Sequence, residues 1–241
     1  MTVYTPTSPN PPSIAVMRME WLRLTFLHWP YDPDVVQRLL PEGLTVETFD
    51  GMAWVGLVPF EMMATTAHGP AWPWASHFWE TNVRTYVRGP DGRTGVWFLS
   101  LDASRLGAVL AARSAYRLPY FWSRMRLVET DDTFLYVTER RWPRRGARSV
   151  VQVQVGKPYA PEELTQRDHY LTARFALWAK TSSGLRWTPA EHPPWQLQRA
   201  TLLRMDDELV TATGLPAPVG EPLLHYSTGV QVRIGWARKK D

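Results

Sequence analysis

The stretch Phe49-Asp50-Gly51-Met52-Ala53-Trp54-Val55-Gly56-Leu57-Val58-Pro59-Phe60 carries the strongest structural signal in the chain. Asp-Gly between two apolar runs suits a two-residue hairpin turn, whose central residues both take positive φ. Strands are therefore expected over residues 44–49 and 53–62. Working outward, residues 17–26 partly alternate apolar and polar side chains, as a strand does. Asp32 or Asp34 caps a short helix that runs to Leu40 and is stopped by Pro41 and Gly43. Residues 80–88 and 95–102 read as strands around Pro90-Asp91-Gly92. Residues 104–116 read as a helix, with Leu106, Val109, Leu110 and Tyr116 near one stripe.

Three further strands are expected at 121–128, 134–142 and 149–155. In the last, Val151, Val153 and Val155 alternate with Gln152 and Gln154, giving one dry face and one wet face. Residues 161–174 read as a helix opened by Pro161, residues 206–213 as a short helix closed by Gly214. Residues 175–181, 185–188, 196–205 and 223–236 read as extended. The Trp/Pro/His-rich residues 64–79 are expected to form a lid or rim. Long antiparallel strands with a few short helices define an α+β domain, mainly antiparallel β-sheet, and sheets of this length curl around a central pocket. One domain is expected over residues 16–238, preceded by a disordered tail over residues 1–15 that holds Pro6, Pro9, Pro11 and Pro12.

The bulk composition agrees with a globular chain: 241 residues, 44% hydrophobic and 21% charged. Such a chain buries enough surface to need no disulfide or metal staple. Thirteen Trp residues favour a bulky core or an aromatic-lined cavity. The absence of cysteine removes disulfides, thiolate catalysis and Cys-based zinc sites, and fits a cytoplasmic location. No signal peptide or membrane-spanning run is legible. Nucleotide and hydrolase motifs (GxGxxG, GxxxxGK[ST], GxSxG) are absent, and no pair of the six histidines has helical metal-ligand spacing. Neither cofactor nor metal is expected. The formal charge is +4. Its densest cluster, Arg140, Arg141, Arg144, Arg145 and Arg148, reads as a solvated hairpin tip rather than a nucleic-acid surface.

Several strings together resemble a known family. They are His28-Trp29-Pro30, Leu40-Pro41-Glu42-Gly43-Leu44, the Phe49 to Phe60 stretch, Glu80-Thr81-Asn82-Val83-Arg84-Thr85-Tyr86-Val87, Gly95-Val96-Trp97-Phe98, Ser100-Leu101-Asp102, Leu118-Pro119-Tyr120, His192-Pro193-Pro194-Trp195 and Leu223-Leu224-His225-Tyr226-Ser227. The chain resembles the YqjF-like family of bacterial proteins, which is more remotely similar to acetoacetate decarboxylase. The resemblance implies antiparallel sheet wrapped around a deep apolar pocket. In the decarboxylase a lysine of a Gly-aromatic-Pro-Lys-Lys segment forms a Schiff base, its pKa depressed by the adjacent lysine and apolar surroundings. The corresponding segment here is Arg117-Leu118-Pro119-Tyr120-Phe121, so both lysine positions are aromatic. The chain has only Lys157, Lys180, Lys239 and Lys240, which read as surface or terminal residues. An imine mechanism is therefore not expected.

The resemblance also implies a pocket glutamate at Phe78-Trp79-Glu80 and offers Arg23 as a loose counterpart of an arginine near the first strand. Arg84, four residues after Glu80, shares its strand face, and two readings stay open: an ion pair with Glu80 or a clamp for a ligand carboxylate. Tyr120 either donates a hydrogen bond to a ligand or fills space. His225 or Tyr226 faces inward. His28 and His192 read as structural corner residues, and Asp102 as a helix N-cap. The expected pocket is thus Glu80, Arg84 and Tyr120, with His225 a fourth member. Its expected occupant is a small molecule, a weak organic acid, with no nucleic-acid or membrane partner. Two alternatives remain: an enzyme using Glu80 with His225 or Tyr120 as a general acid/base pair, and a nucleic-acid or protein interaction module.

Overall fold

The computed structural model describes residues 3–66 and 77–239. The Asp50-Gly51 turn forms: φ is 52° at Asp50 and 76° at Gly51, and the turn joins β3 (Thr48–Phe49) to β4 (Met52–Thr66) with Phe49 opposite Met52. The flanking strands are β1 (Met17–Tyr31), β2 (Thr45–Val46), β5 (His77–Arg88) and β6 (Thr94–Ala103). Then follow β7 (Tyr120–Thr130), β8 (Thr133–Trp142), β9 (Arg148–Pro158), β10 (Ala176–Thr181), β11 (Gly184–Glu191), β12 (Leu197–Asp207), β13 (Leu223–Ile234) and β14 (Arg238–Lys239). The helices are α1 (Pro33–Gln37), α2 (Leu106–Tyr116) and α3 (Gln166–Thr172). No helix among the described residues is long and apolar enough to cross a membrane.

Most strand pairs are antiparallel, and the sheet closes on itself twice. One ring runs β1–β4–β5–β6–β7–β8–β9–β12–β13 and back to β1; the other runs β1–β4–β5–β6–β10–β11–β13. The two rings share β13, β1, β4, β5 and β6, which partition two cores. Phe26, Val58, Phe60, Leu101, Tyr120 and Trp195 belong to one core. Leu27, Val55, Leu57, Val83, Phe134 and Val153 belong to the other. Neighbouring residues of each shared strand thus serve opposite cores, as the two-residue period of a strand dictates. The expected mainly antiparallel α+β sheet curled around an interior is what the structure shows. β6 pairs in parallel with both β7 and β10; α2 carries the chain back across the sheet before β7 begins, and α3 precedes β10.

Several local expectations are corrected. The expected helix over 161–174 is a single 3₁₀ turn, Pro161–Glu163, followed by α3. Thr165 breaks the run by capping α3: Asp168 N donates to Thr165 Oγ1 while Thr165 N donates to Asp168 Oδ2. Over 206–213, β12 runs on to Asp207, and only the 3₁₀ turn Thr211–Thr213 precedes Gly214, whose φ is 98°. His28 is no corner: β1 extends through it to Tyr31, bent earlier at Arg23, whose φ is 51°. In the segment read as a disordered tail, Tyr4 donates its hydroxyl to Glu47 Oε1 and packs its ring edge-on against Tyr170. Residues 67–76 of the aromatic stretch lie outside the described residues; β4 and β5 absorb its two ends.

Asp102 and Arg140 depart furthest from expectation. Asp102 caps no helix, since α2 starts at Leu106 with Arg105 before it and no side-chain cap. Arg140 is not part of a solvated hairpin tip. Both are buried, and Arg140 donates from Nε (2.9 Å) and Nη2 (2.6 Å) to the Asp102 carboxylate, which also accepts from Ser123 Oγ at 2.6 Å. Losing one member leaves an uncompensated buried charge, which costs about 3–5 kcal/mol. Arg140→Met is predicted to lower unfolding stability by that amount in urea titration. Arg144→Met, at an exposed residue of the same hairpin, is predicted to stay within about 0.5 kcal/mol of wild type.

Candidate functional site

Along β5, Thr81, Val83, Thr85 and Val87 turn to one face while Glu80, Asn82, Arg84 and Tyr86 turn to the other, and all of them are buried. On the polar face the opposing β4 residues are Phe60, Val58 and Gly56, opposite Glu80, Asn82 and Arg84 respectively. On the far side Ala103 and Leu101 of β6 stand opposite Glu80 and Asn82. A row of polar side chains thus runs through an apolar interior and must be satisfied there.

At one end lies Glu80. The Tyr120 hydroxyl donates to its Oε2 at 2.9 Å, and the Asn82 side chain also hydrogen-bonds the carboxyl. The parallel pairing of β7 with β6, Tyr120 beside Leu101, sets the phenol there. Burial pushes Glu80 up to about 8 against the lowering effect of those two hydrogen bonds, and Asp102 adds to the rise. At neutral pH Glu80 is therefore mainly a carboxylic acid, both donor and acceptor. Burial first, and then the Glu80 carboxyl, hold Tyr120 well above an ordinary phenol.

At the other end lies Arg84. Gly56, opposite it, makes room for the His28 ring: a Cβ there would come within 2.9 Å of that ring, with Arg84 Cγ at an ordinary contact distance of 3.5 Å. The guanidinium stacks between the Phe26 and Tyr86 rings, 5.4 and 5.8 Å from their centroids, and donates from Nη2 to the Leu171 carbonyl at 3.0 Å. Its Nε has no hydrogen-bond partner among the described residues. The other two buried arginines each meet a carboxylate at 2.6 Å, Arg140 at Asp102 and Arg174 at Glu47. Arg84 forms no such ion pair among the described residues.

Two histidines join this end. The Tyr86 hydroxyl donates to the Leu171 carbonyl at 2.5 Å, so at 2.7 Å from His28 Nε2 it accepts, and His28 carries its proton on Nε2. The lone pair of His28 Nδ1 then has no partner among the described residues. Burial, reinforced by Arg84, keeps His28 far below the ordinary imidazole range and hence neutral. His225, opposite Phe26 on the adjacent strand, sets Nε2 3.0 Å from Asp168 Oδ1 and leaves Nδ1 without a partner among the described residues. Burial opposes ionisation of Asp168, but hydrogen bonds from His225 and Thr165 hold it well below the carboxylate range. Nearby, His192 packs against Phe175 and Trp195 at 4.6 and 4.8 Å, and burial lowers it to about 4.

The structure therefore bonds Glu80 to Tyr120 and sets His225 with Arg84 and His28. Glu80 and Arg84 share a strand face without pairing. Arg23 points elsewhere, to Glu61 and Glu129 at 2.6 and 2.8 Å. Lys157 and Lys180 are exposed. No group of three or more metal-ligating side chains is placed to hold an ion among the described residues. Sequence reasoning missed Asn82, Tyr86 and His28, although Glu-x-Asn-x-Arg-x-Tyr in a strand puts all its polar groups on one face. It also missed Asp168, whose Thr-x-x-Asp spacing to Thr165 is a legible capping box.

Comparison with known proteins places the chain. Residues 18–231 match the family described as uncharacterized conserved protein and designated DUF2071. The chain is 33% identical over 231 residues to the uncharacterized protein YqjF of Bacillus subtilis, covering 95% of this chain and 94% of that protein. The chain belongs to this family. Among solved structures it is similar to an acetoacetate decarboxylase-like enzyme from Sphingomonas wittichii, with a TM-score of 0.66 at 14% identity over 95% of this chain and 94% of that one. Acetoacetate decarboxylase from Legionella pneumophila gives 0.60 at 14% identity over 96% and 92%. The enduracididine biosynthesis enzyme MppR complexed with pyruvate gives 0.60 at 15% identity over 95% and 90%. At these identities the likeness establishes the acetoacetate decarboxylase-like fold.

The raised Glu80 predicts a pH signature of stability. The folded chain holds the Glu80 proton to about 8, whereas the unfolded chain releases it near 4.3. Between those limits the folded state binds more protons, so this group's contribution to stability falls as pH rises, by up to about 1.4 kcal/mol per pH unit. Below the window the contribution is fully present, and above it the loss is complete. Glu80→Gln is predicted to flatten this slope in urea midpoints measured at pH 5, 6.5 and 8.

Proposed function

We propose that the chain binds a small organic acid noncovalently on the interior polar row, with Arg84 as the counter-ion and Glu80–Tyr120 as a hydrogen-bonding pair at the far end. The observation that carries the reading is Arg84: a buried guanidinium with an unpartnered Nε and no ion pair among the described residues. An isolated buried charge is costly, and an anion seated against it removes that cost. The unpartnered Nδ1 atoms of His28 and His225 add polar contacts for the same ligand, and the aromatic walls suit its carbon skeleton. A cytoplasmic setting belongs to this proposal, resting on the cysteine-free composition.

A second reading, general acid/base catalysis on such an acid, rests on Glu80. A carboxyl that keeps its proton to about 8 is poised to give or take one near neutral pH. His225, oriented by Asp168, supplies the other group. Either reading works without an imine, because Tyr120 and Phe121 stand where the Schiff-base lysine pair would be.

Two measurements test this. Thermal-shift titration with pyruvate, acetoacetate and benzoate is predicted to raise the melting temperature of wild type with at least one of them. Arg84→Met is predicted to weaken that ligand at least tenfold while leaving the ligand-free protein as stable as wild type or more so. Equal binding by the variant would remove Arg84 as the counter-ion. Separately, incubation with acetoacetate and borohydride is predicted to leave the intact mass unchanged, and a stoichiometric adduct on Lys157 or Lys180 would establish the imine chemistry denied here.

A further inference from the structure

Outside the interior, a surface cleft of about 620 Å³ runs beside the start of β5 and β7. Its walls carry four arginines, Arg105, Arg124, Arg141 and Arg145, together with Trp79 and Trp122, and no carboxylate lines it among the described residues. Arg141 is partly neutralised by Glu139 at 3.1 Å, and Arg105 Nε donates to the His77 carbonyl at 3.4 Å. The side chains of Arg124 and Arg145 are exposed and make no hydrogen bond or ion pair among the described residues. Trp122 leaves 37% of its surface open. The arginines come from three places: the turn before α2, the edge of β7 and the β8–β9 hairpin. The hairpin cluster thus divides, with Arg140 locked inward on Asp102 and Arg141 and Arg145 turned to the cleft.

We infer that this cleft is a binding site for an organic phosphate carried on a planar ring, a nucleoside diphosphate or a molecule of that build. Like charges held together in one cleft repel and are stabilised by a polyanion. The guanidinium fork matches phosphate oxygens two at a time, and several such forks together suit a polyanion better than a single carboxylate. Trp122 gives the planar ring a stacking surface beside the charged wall. The volume lies inside the roughly 300–1,000 Å³ of small-ligand sites. The cleft uses none of Glu80, Arg84, Tyr120 or His225, so this inference is independent of the interior site.

The test is calorimetric titration of the full chain with ADP, pyrophosphate and adenosine. ADP is expected to bind saturably, pyrophosphate more weakly and adenosine weakest, with ADP affinity falling as salt is added. The double variant Arg124→Ser/Arg145→Ser, at exposed positions, is expected to keep its melting temperature and lose ADP affinity at least tenfold. Trp122→Ala is expected to weaken ADP while leaving pyrophosphate unchanged. Failure of ADP to bind at millimolar concentration overturns the inference, as does unchanged affinity in the double variant. Tight binding of a single-stranded oligonucleotide without ADP binding also overturns it, in favour of a nucleic-acid surface.

Discussion

A buried strand that turns Glu80, Asn82, Arg84 and Tyr86 to one face sets the terms for everything around it. Polar groups removed from water must be hydrogen-bonded, and charges must be paired or moved to neutral forms. The neighbouring elements answer this residue by residue. Tyr120 comes to Glu80 because α2 returns the chain to pair β7 in parallel with β6. The carbonyl of Leu171 at the end of α3 takes both the Arg84 Nη2 proton and the Tyr86 hydroxyl proton. Gly56 leaves the space in which the His28 ring lies. Glu80 escapes its burial cost by keeping a proton. Arg84 has no such exit, since a guanidinium does not shed its charge.

The double closure of the sheet explains why this row tolerates its position. Because five strands are shared between the rings, each contributes one face to each core. The other core packs apolar side chains around Val83, Leu57 and Phe134, and it stabilises the same strands that carry the polar row. Packing on one face thereby holds the polar row on the other in place. The Asp102–Arg140–Ser123 cluster and the Thr81–Thr138 hydrogen bond at 3.0 Å occupy the face opposite Glu80. They are fully paired, and so fix structure rather than invite a ligand.

Much of this architecture was legible in the residues, for identifiable reasons. Asp50-Gly51 names its turn through local backbone preference alone, and the valine–glutamine alternation of β9 declares which face is dry. What escaped reading depends on distant partners. Asp102 and Arg140 look like a cap and a solvated turn because each is judged by its neighbours, whereas their pairing spans 38 residues. His28 followed by Trp-Pro reads as a corner, yet β1 passes straight through it. The break between the 3₁₀ turn and α3 was local and readable, since Thr165 and Asp168 form a capping box. There the helical pattern from Pro161 onward masked the stop signal inside it.

The spacing of Glu80 and Arg84 removes the ion pair from the two readings their sequence left open. Four residues apart is contact distance on a helix, where such a pair makes an ion pair. On a strand the same four residues span about 13 Å between Cα atoms, beyond direct contact for a glutamate and an arginine that both stand roughly upright from the sheet. The two groups therefore form separate poles on one wall rather than a pair. Their characters also differ: the Glu80–Tyr120 pole is mainly neutral near pH 7 and offers hydrogen bonds, whereas the Arg84 pole is cationic and flanked by neutral His28. A ligand that used both would have to be extended, with its anion at Arg84 and a neutral oxygen toward Tyr120. That orientation directs the charge away from Tyr120, toward the end of the strand where His28 and His225 stand.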